Sequence, residues 1–218
     1  MKIFVGYDTR EDIAYQVCKH SIISKQPNAD VRPLRQQELR DAGWYTRPID
    51  KLASTEFTFT RFLIPELTNF DGWALFMDCD MILTTDIKEL FDQADDKYAV
   101  MCVQHDYKVK ETTKMDGQKQ TIYPRKNWSS LMLLNCQKCR NLNIEYVNNA
   151  SGLDLHRFNW LDNDNEIGEI KGTWNSLVKD TKNNNDASLI HWTLGGPWFK
   201  DQRDYDKILS DKWFKARQ

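Results

Sequence analysis

Short apolar runs alternate with segments of helical periodicity along this chain. The apolar runs have the length of buried strands, and they lie at 2–8, 31–34, 73–77, 98–103, 130–134 and 188–192. Apolar residues recur at helical spacing at 11–24, 53–64, 86–92 and in the tail, where they are Tyr205, Ile208, Leu209 and Trp213. Strands that alternate with helices predict an α/β fold with a mostly parallel central sheet.

The segment 53–64 combines an apolar stripe with one basic residue. Phe59, Phe62 and Leu63 share a helical face, and Arg61 lies off that face. Pro65 is expected to end this helix, because proline breaks the hydrogen-bond pattern of a helix interior. The polar segment 108–127 predicts a hairpin or loop, and 141–187 gives no clear assignment.

Polar residues stand at the ends of three predicted strands. Tyr7 and Asp8 end the first strand, Asp78 and Asp80 follow the run at 73–77, and His191 lies at the end of the last run. In parallel sheets ligands bind beyond the carboxyl ends of the strands. These three groups are therefore expected to meet at one site.

Asp78 and Asp80 form the strongest local signal. A buried strand delivers two carboxylates one residue apart, and two bare carboxylates at that distance repel each other. A divalent cation such as Mg²⁺ or Mn²⁺ removes this repulsion, because hard cations prefer oxygen ligands. The alternative is an acidic pair that caps nearby helices or is solvated in a turn.

The late histidine adds a second kind of ligand. His191 is followed within a few residues by Gly195, Gly196, Pro197 and Trp198, and the glycines allow a close backbone approach to a ligand. An imidazole beside two carboxylates would favour Mn²⁺ over Mg²⁺. The alternative is a hydrogen-bonded, partly buried histidine with no ligand.

Composition limits the possible classes of protein. The chain has 218 residues, enough for one large domain, and its formal net charge of −2 gives no electrostatic reason to expect binding to nucleic acid or to an anionic membrane. Its 40% hydrophobic and 28% charged residues exclude a disordered chain or a membrane channel. No run of about 18 apolar residues occurs, so no membrane-spanning helix is expected.

The cysteines indicate a reducing compartment. There are five of them, several within apolar runs, which is typical of free thiols. Cys136 and Cys139 lack the second Cys or His pair that a structural zinc site needs. The apolar stretch at the N-terminus is too short for a signal peptide, so we expect a cytoplasmic protein.

Four segments in sequence order resemble the GT-A fold glycosyltransferases, and most closely family 8, the group of glycogenin and the bacterial lipopolysaccharide glycosyltransferases. Phe4–Asp8 with His20–Ile22 resembles the family's first strand and its Ser-Ile helix. Residues 60–67 resemble its Arg-containing Leu-x-Ile-Pro-Glu-Leu segment, 76–91 its Asp-x-Asp strand and helix, and 191–198 its His-x-x-Gly-x-x-Lys-Pro-Trp loop.

The resemblance implies a single compact GT-A domain over 1–200, with a helical tail at 201–218 packed on it. It implies metal-dependent transfer of a sugar, glucose or galactose, from a UDP-sugar to an acceptor hydroxyl with retention of configuration. The acceptor would be a glycan, a lipid or a protein, and the metal Mn²⁺, with Mg²⁺ as the alternative.

The resemblance also assigns candidate residues to roles. The metal ligands would be Asp78, Asp80 and His191. The nucleotide and its phosphates would be bound by Tyr7, Asp8, Arg10, Arg61, Asp78, Cys79, Gly195, Gly196 and Lys200. The donor sugar would lie beside Asp162 and Asp164, with Arg61 as a further catalytic group. The alternative for the Asn/Asp-rich stretch around Asp162 is a turn that caps a helix.

The chain departs from the family pattern at three places. Gly196 stands where the family has lysine, 128–135 replaces its Asn-Ala-Gly strand, and 160–165 replaces its Asp-Gln-Asp. Because of these departures, a sugar-nucleotide-binding or carbohydrate-binding protein with weak or no catalysis remains an alternative. A metal-dependent phosphatase or nucleotidyltransferase is the other alternative, although a dehalogenase-type phosphatase would need a threonine where Ile82 stands.

Overall fold

The computed structural model describes residues 1–50, 53–106, 125–178, 186–199 and 207–217. Its strands are β1 (Lys2–Gly6), β2 (Asp30–Leu34), β3 (Trp73–Met77), β4 (Met81–Leu83), β5 (Val100–Cys102), β6 (Leu131–Asn135), β7 (Ile167–Glu169), β8 (Ser176–Leu177) and β9 (Leu189–His191). Its α-helices are α1 (Asp12–Ile23), α2 (Gln36–Asp41), α3 (Ile64–Leu67), α4 (Lys88–Phe91), α5 (Ile144–Asn149), α6 (Gly152–His156) and α7 (Lys207–Ala216). Single turns of 3₁₀-helix occupy Thr9–Glu11, Thr60–Leu63, Trp128–Ser130, Cys136–Lys138, Asp164–Glu166 and Gly172–Asn175.

The central sheet has six strands among the described residues, in the order β2-β1-β3-β6-β5-β7. Only β6 runs against the others, pairing antiparallel with both β3 and β5. The carboxyl ends of the other five strands therefore lie at one edge of the sheet, together with the beginning of β6. The predicted α/β fold with a mostly parallel central sheet is confirmed.

A second, three-stranded sheet in the order β4-β9-β8 adjoins this edge. Met81 pairs with His191, and His191 also pairs with Leu177. The chain passes from the central sheet into this second sheet within the three residues Asp78, Cys79 and Asp80. Trp192 N donates to Asp80 O at 3.0 Å, which fixes the crossing.

Among the described residues, two apolar cores hold the sheets in place. The larger one packs fully buried residues of the central strands, such as Leu75 and Leu133, against Phe62 and Leu63. The smaller one lies between α1, α7 and the second sheet, and its large members are Trp192 and Trp213. All five cysteines are buried free thiols, as their positions in apolar runs predicted.

The prediction that Pro65 ends a helix is wrong. Residues 60–63 form one 3₁₀ turn, and α3 then contains Pro65 in its first turn and continues to Leu67. Proline is tolerated there because the first amides of a helix have no intrahelical partner. The unassigned stretch 141–187 contains α5, α6, β7 and β8, which are too short to give a clear periodicity.

Candidate metal centre

Asp78, Asp80 and His191 offer one ligand atom each within 4.8 Å of one another. His191 Nε2 lies 3.2 Å from Asp80 Oδ1 and 3.9 Å from Asp78 Oδ2. Asp78 follows β3, Asp80 precedes β4, and His191 ends β9, so adjacent ends of two sheets bring the three side chains together. Two carboxylates and an imidazole form a donor set that suits a divalent cation.

A buried hydrogen-bond chain sets the direction of the His191 ring. Ser130 Oγ donates to Asn127 O at 2.6 Å, so it accepts from Asn175 Nδ2 at 2.9 Å. The amide oxygen of Asn175 therefore faces His191 Nδ1, at 2.8 Å, and Nδ1 carries the proton. In the neutral imidazole, Nε2 then presents its lone pair to the carboxylates.

In this arrangement the lone pair of His191 Nε2 faces a lone pair of Asp80 Oδ1 at a distance of 3.2 Å. Both side chains are largely buried, so either a proton or a cation has to lie between these atoms. Hydrogen bonding of the remote ring nitrogen is the usual way in which proteins orient a metal-binding histidine. The residues therefore fit a bound divalent cation.

Burial and charge perturb the titration of this group. Burial raises the pKa of Asp78 to about 6, with Arg61 opposing the shift and Asp80 adding to it. Burial lowers the pKa of His191, but the two carboxylates outweigh it and the net shift is upward. Asp78 thus resists ionisation in this buried position beside Asp80 unless a positive charge is present.

Arg61 supplies part of that positive charge from inside the protein. It is only 6% exposed, and its Nη1 lies 2.9 Å from Asp78 Oδ1. It also donates to Ser129 O at 2.8 Å and to Phe57 O at 3.2 Å, and its guanidinium lies over the Phe76 ring. The structure thus brings Arg61 to the acidic pair, whereas a contact with phosphate or sugar stays a prediction.

Asp8 and Arg10 hold each other at the end of β1. Asp8 is fully buried and accepts from Arg10 N and Nε, both at 2.9 Å, from Arg10 Nη2 at 2.7 Å and from Glu56 N at 3.1 Å. Burial raises the pKa of Asp8, but these hydrogen bonds outweigh it and the pKa is lowered. Arg10 also borders a cavity of about 200 Å³ that Gln36 and Arg40 line as well.

Tyr7 is part of the core beside this turn. Its ring is 7% exposed, with the Arg35 guanidinium 3.7 Å from its centre and Tyr15 packed edge-on at 5.3 Å. Its hydroxyl donates to Asp12 Oδ1 at 2.8 Å. Arg35 therefore covers the ring face on which a base would stack.

Glu11 is a site residue that the sequence analysis missed. The thiol of Cys79 donates to Glu11 Oε2 at 3.7 Å, which places this carboxyl beside the acidic pair. Burial raises the pKa of Glu11 to about 7, and the charge of Asp80 adds to the shift. Glu11 stands in a polar turn with no apolar pattern, so no signal in the sequence singles it out.

The two glycines after β9 serve the packing of their own loop. Gly195 has φ +96°, and its N–H donates to Trp192 O at 3.0 Å. A Cβ on Gly196 would come within 2.0 Å of the Trp198 ring. A phosphate contact from either residue stays a prediction, and Lys200 lies outside the described residues.

Asp162 and Asp164 are not brought together with the metal group. They precede β7, whose first residue Ile167 pairs with Val100 at the start of β5, so they lie towards the sheet edge opposite Asp78. Both are exposed, and Asp164 Oδ1 is paired with Arg125 Nη2 at 2.5 Å. Asn163, which lies between them, caps the following 3₁₀ turn. This agrees with the alternative interpretation of the stretch as a capping turn.

His156 on α6 is a further buried group near Arg61 that the sequence analysis did not select. Its Nδ1 lies 2.7 Å from Ser129 Oγ, and its ring packs edge-on against Phe62 at 5.1 Å. Burial, with a smaller contribution from Arg61, lowers its pKa to about 3. His156 is therefore a neutral structural residue behind the site.

Comparison with known proteins adds one sequence relative. No family model matches the chain. Protein CDI of Arabidopsis thaliana is 51% identical over 225 aligned residues, which cover 100% of this chain and 86% of that protein. Within the part of the chain that is described, no helix has the length and apolar character needed to cross a membrane.

Solved glycosyltransferase structures share the fold at low sequence identity. The galactosyltransferase LgtC, in complex with donor and acceptor sugar analogs, superposes with a TM-score of 0.63 at 14% identity, covering 100% of this chain and 95% of LgtC. The bifunctional glycosyltransferase WbbM gives 0.66 at 15% identity, over 100% of this chain and 49% of WbbM. GlyE of Streptococcus pneumoniae TIGR4 gives 0.64 at 13% identity, over 99% of this chain and 60% of GlyE. The chain therefore belongs to the family of Protein CDI, and it has the GT-A fold of these glycosyltransferases.

Proposed function

We propose that this protein is a metal-dependent glycosyltransferase that moves a sugar from a UDP-sugar to an acceptor hydroxyl. The observation that carries the proposal is the group of Asp78, Asp80 and His191 at the carboxyl edge of a GT-A sheet, with His191 Nε2 directed at the carboxylates. Such a group suits Mn²⁺, with Mg²⁺ as the alternative. The bound cation would stabilise the charge that develops on the leaving diphosphate.

The charges of the surrounding residues support a diphosphate at this edge. Arg61 lies on the inner side of the acidic pair and offsets the negative charge of Asp78. A cation bound on the outer side of the pair would therefore retain net positive charge, which attracts an anionic ligand. Arg10 is paired with the buried Asp8, but its side chain is 66% exposed, so its guanidinium remains accessible to a phosphate at the end of β1. The cavity beside Arg10, Gln36 and Arg40 offers room next to the same edge for the nucleoside.

The finer parts of the proposal rest on the resemblance to family 8. They are membership of that family, glucose or galactose as the sugar, and retention of configuration. A cytoplasmic location is proposed from the five buried free thiols, which are typical of a reducing compartment. We assign no role in sugar binding to Asp162 and Asp164, because they lie towards the opposite edge of the sheet.

The test is donor binding and donor hydrolysis across UDP-, GDP- and TDP-sugars with Mn²⁺, Mg²⁺ or EDTA. Asp80→Ala and His191→Ala run alongside, with Asp186→Ala as the matched exposed control. We expect Mn²⁺-dependent release of UDP from one donor, lost in both site variants and kept in the control. Release of phosphate or pyrophosphate without sugar transfer would favour a phosphatase or nucleotidyltransferase instead. Binding without turnover would favour a sugar-nucleotide-binding protein.

A further inference from the structure

His105 is a half-buried histidine to which the proposed function assigns no role. It follows β5 at the same edge of the central sheet as Asp78, because β5 and β3 run parallel. Its backbone is fixed at both ends: His105 N donates to Val103 O, and His105 O accepts from Trp128 Nε1, both at 3.1 Å. The backbone position from which its side chain extends is therefore set by the fold.

The imidazole of His105 has an unused polar atom. Nε2 is shielded from solvent and has no hydrogen-bond partner among the described residues. A buried nitrogen without a hydrogen-bond partner is destabilising, so it is rare in a native structure unless a ligand completes it. Burial, and then the charge of His191, lowers the pKa of His105 to about 4, so its ring is neutral near pH 7.

The order of the strands indicates which part of a ligand would reach this nitrogen. The residues proposed for the nucleoside stand at β1 and β2, the acidic pair stands at β3, and His105 follows β5. β5 lies on the other side of β3 from β1 and β2, separated from it by β6. A ligand with its nucleoside at β1 and its diphosphate at β3 extends its remaining group towards β5.

We propose that His105 Nε2 hydrogen-bonds a hydroxyl of the donor's sugar and so contributes to the choice of sugar. The inference rests on the proposed function above. A neutral imidazole suits a hydroxyl, since its nitrogen can accept from or donate to the same group. His105 is not one of the three residues whose ligand atoms cluster for a cation, so its role is with the substrate.

The test compares UDP with the UDP-sugar by calorimetric titration in the presence of Mn²⁺, using UDP-glucose and UDP-galactose. We expect His105→Ala to change the Kd of UDP by no more than about two-fold. The same variant should weaken binding of the preferred UDP-sugar by roughly five- to ten-fold, because it loses one hydrogen bond. His105→Gln, which keeps a polar group near the same point, is expected to recover part of this loss. His20→Gln, at an exposed histidine of α1, is the matched control and should change neither Kd.

The outcomes separate this inference from the proposed function. If the wild type binds UDP and UDP-sugar, and His105→Ala weakens the binding of both ligands equally or of neither, the proposed contact between His105 and the sugar is overturned. If the wild type binds neither ligand with Mn²⁺, the proposed function itself fails, and the sugar contact fails with it. A donor analogue that lacks the contacted hydroxyl should bind the wild type and His105→Ala equally.

Discussion

Asn175 orients the histidine of the candidate metal centre and sets its tautomer. It is fully buried, and its amide joins Ser130 to His191, so the proton of the imidazole stays on Nδ1. The carboxylates alone would leave the ring free to rotate or to carry its proton on Nε2. Metal binding by the three residues would therefore depend on a side chain that is not itself a ligand.

Truncation of Asn175 tests this dependence. We expect Asn175→Ala to weaken Mn²⁺ binding by about ten- to a hundred-fold, because outer hydrogen bonds of metal-bound histidines have effects of that size. Isothermal titration calorimetry with Mn²⁺ measures it, with Asn149→Ala, an exposed asparagine of α5, as the control. An unchanged Mn²⁺ affinity in Asn175→Ala would contradict the role of the amide.

His156 gives a second prediction at the scale of one residue. Its pKa is held at about 3 in the folded protein, whereas an unfolded histidine titrates near 6.5. The unfolded state therefore binds a proton first as the pH falls, and the stabilisation from neutral His156 is complete above pH 6.5 and is lost below it. We expect the stability advantage of wild type over His156→Gln to shrink by roughly 1 kcal/mol per pH unit from 6.5 to 4.5.

Denaturant unfolding at several pH values measures this difference. The comparison with His156→Gln removes the contributions of Glu11 and Asp78, whose raised pKa values act with the opposite sign in both proteins. Parallel pH profiles for the two proteins would show that His156 is not held neutral.

At the scale of elements, an aromatic cluster attaches the loop after β9 to α7. The Trp198 ring lies 6.4 Å from that of Trp192 and 5.7 Å from that of Trp213 on α7. Gly196 permits this stacking, since a side chain there would overlap the Trp198 ring. Because the loop begins directly after His191, the packing of α7 supports the position of His191.

A pair of glycine substitutions tests the importance of this packing. We expect Gly196→Ala to destabilise the protein by about 1–3 kcal/mol, the usual effect of an overpacked site, and to weaken Mn²⁺ binding. Gly172→Ala, where a Cβ would meet nothing within 4 Å, is expected to be neutral or slightly stabilising. Denaturant midpoints and Mn²⁺ titration measure both effects. Equal stability of the two variants would show that the loop accommodates a side chain.

At the scale of the whole molecule, the metal centre joins two sheets. Asp78 directly follows a strand of the central sheet, whereas Asp80 directly precedes β4 and His191 ends β9, both strands of the second sheet. A cation held by all three would link the two sheets, and the smaller core of Trp192 and Trp213 would be held with them. Binding to the folded state alone raises its stability by mass action.

We therefore expect Mn²⁺ to raise the melting temperature of the wild type, with EDTA reversing the shift. At a hundred times its Kd the ion should add about 2.7 kcal/mol. Asp80→Asn should abolish the shift, and without metal this variant should be at least as stable as wild type, because it loses the repulsion between two carboxylates. A metal-induced shift that survives in Asp80→Asn would place the cation elsewhere.

The longer and more apolar strands could be predicted from the sequence alone. The run at 73–77 matches β3 residue for residue, and β1, β6, α1 and α7 lie within the predicted segments or at most one residue beyond them. Their apolar pattern is local, and each buried face repeats with the period of either a strand or a helix. The same pattern showed that Asp78, Asp80 and His191 stand at element ends, so the grouping of these three side chains could be predicted as well.

Only the tertiary structure decided what surrounds those three residues. Arg61 is buried against Asp78, and Glu11 meets Cys79 across 68 positions of sequence, contacts that no local periodicity encodes. The same holds for the reversal of β6 and for the position of β7 beside β5, which sets Asp162 and Asp164 apart from the site. Local patterns determine which segments are buried, but which buried partner each polar atom finds depends on how distant segments pack, and packing is a property of the whole chain.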